Sequence, residues 1–285
     1  MKSLKNKLTR LAPRALDAHK GDFGRILLVG GRLGFTGAIS LASKSAVCAG
    51  AGLVTAAIPL RCIDIVAGFD PCYMTLPIKS TASGSFHRDS LTELAKHLGL
   101  FNILAVGPGL GRDKTAQVLT TYCYKNFAGP AVFDADALFA LSIKQSHLAS
   151  HKGPRILTPH AGEFERLSGV SAANRDKQIS AALAYAKKND LTIVLKGPNT
   201  LVTDGSKKFF CETGNPGMAS GGTGDCLTGI ISALVGQGLS PYDAACLGAT
   251  VHGLAGDLAI SQSKGPSVTP LQLIANLAVA FSMLA

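Results

Sequence analysis

Tryptophan is absent from this 285-residue chain, and all aromatics together reach only 6%. A core of this size must therefore be built from Ala, Leu, Val and Ile, packed closely. Charge is also scarce, at 16% against 47% apolar residues, which excludes a disordered chain. The 32 glycines follow no G-X-Y period, so a fibrous fold is excluded. No C-x-x-C pair occurs among the seven cysteines, and their odd number argues against a disulfide framework or a thiolate zinc site. Free thiols fit a reducing cytoplasm. No long apolar stretch follows the basic residues of the N-terminus, so no signal peptide is expected. The longest nearly uncharged runs, such as residues 46–60, are too short and too glycine-rich for a membrane span.

Acidic residues are outnumbered, 18 against 28 basic, for a net charge of +10. Half of that excess lies in the first 25 residues, which hold seven basic and two acidic side chains. A basic surface attracts anions, phosphorylated small molecules included. The basic residues are not interleaved with aromatics, so neither nucleic acid nor membrane is expected as a partner.

What is present is an alternation of strands and helices. Residues 1–20 read as a basic, partly helical arm, and 21–285 as one domain. Strands are expected at 25–29, 53–58, 102–106, 131–133, 155–157 and 192–195. A hairpin is expected of 200–203 with 208–212, turning at Asp204-Gly205. Helices are expected at 36–49, 172–188, 223–235, 242–260 and 270–284. This alternation predicts an α/β fold with a mostly parallel sheet covered on both faces.

In such a fold, ligands bind at the carboxyl ends of strands. Five unusual segments fall there: Gly30–Ala38, Gly107–Gly111, Asp134–Asp136, Thr158–Glu163 and Lys196–Thr200. The first is not a G-x-G-x-x-G fingerprint and no acidic residue ends the next strand, so a Rossmann dinucleotide site is not assigned; a P-loop is absent. The most pointed segment is Asn215–Asp225, NPGMASGGTGD, followed at once by an apolar helix. Glycines there leave backbone N–H groups free, and a helix N-terminus adds its dipole, making an anion hole from Gly222, Thr223 and Gly224. Asp225 stands beside it as a base for a substrate hydroxyl, or as an ordinary dipole partner. His160 is a cap or a ligand contact, and Lys196 a phosphate ligand or a turn lysine. Asp134 and Asp136 are a paired carboxylate site or a metal contact, with Asp136 read as the cap of a helix at 137–141. His252, Asp257, Glu163 and Glu165 read as structural.

Taken in order, GDFGRILLVGG, TGA, GAGLVT, VGPGLG, FDADAL, LTPHAGEF, VLKGPNT and NPGMASGGTGD resemble the ADP- or ATP-dependent NAD(P)H-hydrate dehydratases of the ribokinase-like superfamily. The resemblance runs from about Gly21 to the C-terminus. It implies a three-layer α/β/α sandwich and a lyase that repairs hydrated NADH and NADPH. The ring hydroxyl of the S epimer is phosphorylated by ADP and phosphate leaves, yielding AMP, phosphate and the reduced dinucleotide. It further implies Asp225 as the base and Ala38, Gly109, His160 and Asp225 as contacts to the hydrated dinucleotide. Lys196, Gly197, Pro198, Asn199, Thr200 and Gly224 would contact the nucleotide. Mg2+ would be held by phosphate and water, with no protein metal cage. A homotetramer is expected, and with only about twenty residues before the match, a separate protein would supply the epimerase. A superfamily kinase for a thiazole or hydroxymethylpyrimidine alcohol, and a nucleotide sensor without turnover, are the alternatives.

Overall fold

The computed structural model describes residues 8–143, 148–263 and 265–284. Nine strands form one sheet in the order β3-β2-β1-β4-β5-β6-β7-β8-β9. They are β1 (Arg25–Val29), β2 (Leu53–Pro59), β3 (Met74–Ile78), β4 (Ile103–Val106), β5 (Ala131–Phe133), β6 (Arg155–Leu157), β7 (Leu191–Leu195), β8 (Thr200–Thr203) and β9 (Lys208–Cys211). The first seven run parallel, β8 pairs antiparallel with β7, and β9 pairs antiparallel with β8. The order reverses between β1 and β4, so the loops leaving these two strands flank an open crevice.

Strand side chains alternate between two cores. Ile26 and Leu28 face one, Leu27 and Val29 the other. The first core is covered by α1 (Thr36–Cys48), α8 (Thr223–Gly236), α9 (Pro241–Gln262), α10 (Pro270–Ala275) and α11 (Leu277–Ser282). The second is covered by α3 (Ser90–His97), α4 (Lys114–Asn126), α5 (Asp136–Ile143), α6 (Ala161–Ser168) and α7 (Arg175–Asn189). A short α2 (Ile63–Ala67) follows β2. The result is the expected three-layer sandwich. Without tryptophan, the helices close up through small residues: a Cβ on Gly229 of α8 would stand 2.0 Å from the Ala42 carbonyl oxygen of α1.

Some elements differ from expectation. Residues 270–284 are two helices, because Asn276 breaks the ladder and turns its amide to Gln262 and the Gln272 carbonyl. The arm is not helical between residues 8 and 19; residues 1–7 lie outside the described part. Arg14 ties the arm down by donating to the Gly50 carbonyl at 2.7 Å and lying over the Phe23 ring. Helix α9 is long and apolar enough to cross a membrane, but 72% of its apolar window is buried inside the protein, as befits a core helix. The hairpin forms as expected, with Asp204 Oδ1 accepting the Ser206 and Lys207 amides.

Candidate active site

At the carboxyl ends of β5, β6 and β7 a cluster of buried charge forms. Asp134 leaves β5, His160 and Glu163 follow β6, and Lys196 follows β7. Lys196 Nζ donates to Asp134 Oδ1 at 2.9 Å and lies 3.9 Å from Glu163 Oε2. Thr228, one turn into α8, donates to Asp134 Oδ2 at 2.8 Å. Both oxygens of a carboxylate whose side chain is 2% exposed are thus satisfied. Burial works against the Lys196 ammonium, but Asp134 and Glu163 outweigh it and hold its pKa above the ordinary lysine value.

Helix α8 brings its N-terminus to the same place. Gly222 takes the N-cap position at φ 97°, a left-handed conformation, and no side chain caps the helix. The first amides of α8 are therefore left for an anion. The Thr223 hydroxyl does not face that anion; it closes the loop by donating to the Met218 and Ser220 carbonyls. His252 holds the Thr223 carbonyl at 2.8 Å through Nε2. Burial pushes its pKa down to about 4, so the ring is neutral and Nε2 carries the donated proton.

Asp225 sits in the first turn of this helix. Burial pushes its carboxyl up to about 7; the Asp134 charge adds to the rise and Lys196 opposes it. Glu163 is likewise raised to about 7, chiefly by burial, with Lys196 opposing. His160 caps α6: its Nδ1 accepts the Gly162 and Glu163 amides, while Glu163 Oε2 accepts the His160 amide at 2.9 Å. With Nδ1 an acceptor, the neutral ring carries its proton on Nε2. Burial and Lys196 lower its pKa, which keeps it neutral.

A cavity of about 910 Å3 opens beside this cluster. Among the residues singled out from sequence, His160, Lys196, Gly197, Pro198, Asn199, Thr200, Thr223 and Gly224 line it. Ala38, Gly109, Gly222 and Asp225 are not among its lining residues. Asn199 adopts φ 51° in the turn that shapes the wall, and Arg175 props that turn by donating to the Leu195 and Lys196 carbonyls. Ala38 and Gly109 form a separate shelf at the β1/β4 crevice. A Cβ on Gly109 would stand 3.3 Å from that of Ala38, and the Arg32 amide donates to the Gly109 carbonyl at 2.8 Å. Asp136 is not a helix cap. It accepts from the Gly111 amide at 2.9 Å and from Arg112 Nε at 2.8 Å, and so fixes the shelf relative to Asp225, which feels its charge.

Arg175, Thr228 and Asp136 as a clamp were missed by sequence reasoning, and no local pattern marks them. His252 was read as structural, and its bond to Thr223 makes it a support of the helix terminus. Among the described residues no group of three or more His, Cys, Asp or Glu could hold a metal ion. A Mg2+ ion ligated by nucleotide phosphates and water needs no such cage.

Comparison with known proteins gives the family and the fold. The NAD(P)H-hydrate dehydratase family profile matches residues 26–278. The bifunctional NAD(P)H-hydrate repair enzyme of Moorella thermoacetica is 45% identical over 257 residues, covering 89% of this chain and 48% of that protein. The chain thus spans about half the length of the curated relatives it matches. An Enterococcus faecalis ribokinase-like superfamily protein superposes with a TM-score of 0.84 at 27% identity, over 100% of this chain and 95% of that one. The ADP/ATP-dependent NAD(P)H-hydrate dehydratase of Bacillus subtilis, co-crystallized with ATP and Mg2+, superposes with a TM-score of 0.83 at 25% identity, over 100% and 97%. The fold is ribokinase-like, and the chain belongs to the NAD(P)H-hydrate dehydratase family.

Proposed function

We propose that this chain dehydrates S-epimer hydrates of NADH and NADPH, using ADP as phosphoryl donor and releasing AMP and phosphate. The observation that carries the reading is Asp225, a carboxyl raised to about 7 at an uncapped helix N-terminus beside Lys196. A proton acceptor tuned to neutral pH next to an anion hole is what phosphoryl transfer to an alcohol requires.

The ring hydroxyl gives its proton to Asp225 as its oxygen attacks the terminal phosphorus of the nucleotide. The bond from that phosphorus to the bridging oxygen breaks, and AMP leaves. Lys196 and the first amides of α8, at Gly222, Thr223 and Gly224, meet the negative charge on the phosphoryl oxygens. The ring nitrogen lone pair then expels phosphate from the ring carbon, and the adjacent ring carbon gives up a proton to the departing phosphate or to water, so that its C–H electron pair reforms the double bond. The nucleotide lies in the large cavity along Lys196, Gly197, Pro198, Asn199, Thr200 and Gly224, and Mg2+ bound with it would neutralise phosphate charge. The hydrated ring reaches Asp225 from the shelf of Ala38 and Gly109, with His160 Nε2–H as a donor to it. Asp134 does not touch substrate; it holds Lys196 in place.

The protein works in the cytoplasm, in keeping with seven free cysteines among the described residues. Exposed apolar side chains Ile65, Phe69 and Met74 lie at the β3 edge of the sheet and support a homotetramer. Residues 21–285 act as one catalytic domain, and epimerisation of the hydrate belongs to a different active site.

The test mixes the purified chain with S-NADH hydrate, Mg2+ and either ADP or ATP. The near-ultraviolet absorbance of reduced nicotinamide and released phosphate are both followed. Recovery with ADP, one phosphate per NADH, is expected. Recovery with ATP alone overturns the donor. A stable phosphorylated product from another alcohol, with no recovery, replaces the dehydratase with a kinase.

A further inference from the structure

A second cavity, of about 560 Å3, is lined by Arg32, whose amide is bonded to the Gly109 carbonyl of the shelf, and the site just described leaves it unused. Three segments meet there: the loop after β1, the turn 81–85, and the start of α4. They are stitched together by the Arg32 amide on the Gly109 carbonyl at 2.8 Å and the Leu33 amide on the Gly84 carbonyl at 3.0 Å. Three cations line the cavity, Arg32, Arg112 and Lys114.

Their commitments differ. Arg112 is paired with Asp136 at 2.8 Å. Arg32 and Lys114 have no ion-pair partner among the described residues. Arg32 lies over the Phe35 ring at 4.2 Å, and its Nε is buried with no hydrogen-bond acceptor. A buried guanidinium N–H without an acceptor is costly, and a ligand oxygen would relieve it. The one acidic group lining the cavity, Asp113, spends Oδ1 on capping α4 through the Ala116 amide. Hydroxyls of Ser83, Ser85 and Thr115 complete the wall. Planar guanidinium, ammonium and hydroxyl donors around one hollow suit phosphate oxygens.

We infer that this cavity binds the phosphate groups of the adenylate half of the dinucleotide substrate, through Arg32 and Lys114. The inference rests on the proposed function, because the shelf it extends is the one assigned there to the hydrated ring. A dinucleotide lying along that shelf must place its pyrophosphate or its 2′-phosphate somewhere beyond the ring, and the basic hollow stands there. The ring end supplies the chemistry and the adenylate end supplies affinity.

The test first requires that wild-type protein restores S-NADH hydrate; without that, the function fails and not the cavity. Arg32→Gln, Lys114→Gln and the double variant are then compared on the hydrates of NADH, NADPH and reduced nicotinamide mononucleotide, which lacks the adenylate half. The KM for the dinucleotide hydrates is expected to rise about tenfold per lost cation. The KM for ADP should stay, and the dinucleotide-over-mononucleotide ratio of kcat/KM should collapse towards one. A loss on both dinucleotides assigns the pyrophosphate; a loss on the NADPH hydrate alone assigns the 2′-phosphate. An unchanged dinucleotide KM overturns the inference. So does an equal loss on the mononucleotide hydrate, which means the shelf itself was disturbed. A raised KM for ADP gives the cavity to the nucleotide and also overturns it. Direct binding of NADPH to wild-type and Arg32→Lys protein provides a readout without turnover; retention of affinity only with a cation at 32 is expected.

Discussion

Two glycine-rich loops of this molecule use their glycines differently. In the loop after β1, Gly30 and Gly31 at its start answer to packing, while a Cβ on Gly34 or Gly37 would meet nothing within 4 Å. A Cβ on Gly30 would stand 2.1 Å from the Pro108 carbonyl oxygen, and one on Gly31 would stand 2.3 Å from the Ile39 side chain. In the loop before α8, a Cβ on Gly221 would meet nothing within 4 Å, and one on Gly224 would meet only the Lys196 ammonium at 3.4 Å. The first loop brings backbones together at Gly30 and Gly31, and the proposed reading leaves ligand contact there to Ala38 and Arg32. The second packs Gly217 and Gly222 but keeps its backbone bare at Gly221 and Gly224, which is useful only if something else comes to fill that space. A glycine count cannot tell these apart; what a methyl group would touch can.

The proposed function puts the chemistry at the end of the second loop, so the largest expected effect lies there. Asp225→Asn is expected to lower turnover about a thousandfold or more while nucleotide binding persists. Near-normal turnover in that variant removes Asp225 from the base role. In wild type, kcat/KM should fall about tenfold per pH unit below about 7, because a base works only when deprotonated. The same group has a stability signature of opposite sense. Its folded pKa is above the unfolded one, so between pH 4 and 7 the folded chain holds the extra proton. Stability is therefore lost as pH rises through that window, by an upper bound of about 4 kcal/mol for a shift from 3.8 to about 7. Asp225→Asn should thus raise Tm at pH 8 and leave it unchanged near pH 4, as read by calorimetry.

Lys196→Met comes next. Losing the ammonium removes a phosphate contact and the charge that restrains the Asp225 pKa. The KM for ADP is expected to rise about a hundredfold, and the acid limb of the pH profile to move above about 7. A limb that moves to lower pH, or an unchanged KM, contradicts the placement of Lys196 between nucleotide and base. Gly30→Ala, in the first loop, should cost stability directly. Backbone must shift to clear a 2.1 Å contact, a loss of about 1–3 kcal/mol that denaturant melts would show.

Much of this architecture is legible in the sequence. The runs RILLV, ILAV and LTIVL are buried on both faces and read as continuous apolar strands, and each ends in the segment that carries the site. β3 is not legible: MTLPI is an edge strand, half exposed, with Pro77 inside it, so neither apolar continuity nor alternation marks it. Lys196 and Asp225 are visible because their loops are distinctive. Thr228 is hidden because its partner Asp134 lies 94 residues away. Asp136 was misread because an aspartate in a first helical turn has a local explanation in the dipole, and only the folded chain shows that it spends itself on Gly111 and Arg112.

The smallest expected effect is the sharpest test of the two-loop comparison, because stability and function should move in opposite directions. Gly224 lies in the first turn of α8 with no backbone atom in the way of a methyl group. Gly224→Ala should therefore keep the fold and add up to about 1 kcal/mol, the usual gain of alanine over glycine in a helix. A methyl group there also points at the Lys196 ammonium and into the space assigned to the nucleotide phosphates. The KM for ADP should rise about fivefold to tenfold while Tm holds or climbs. If Gly224→Ala instead lowers Tm as Gly30→Ala does, this glycine too is a packing glycine. The bare backbone of the second loop would then have to be explained without a ligand.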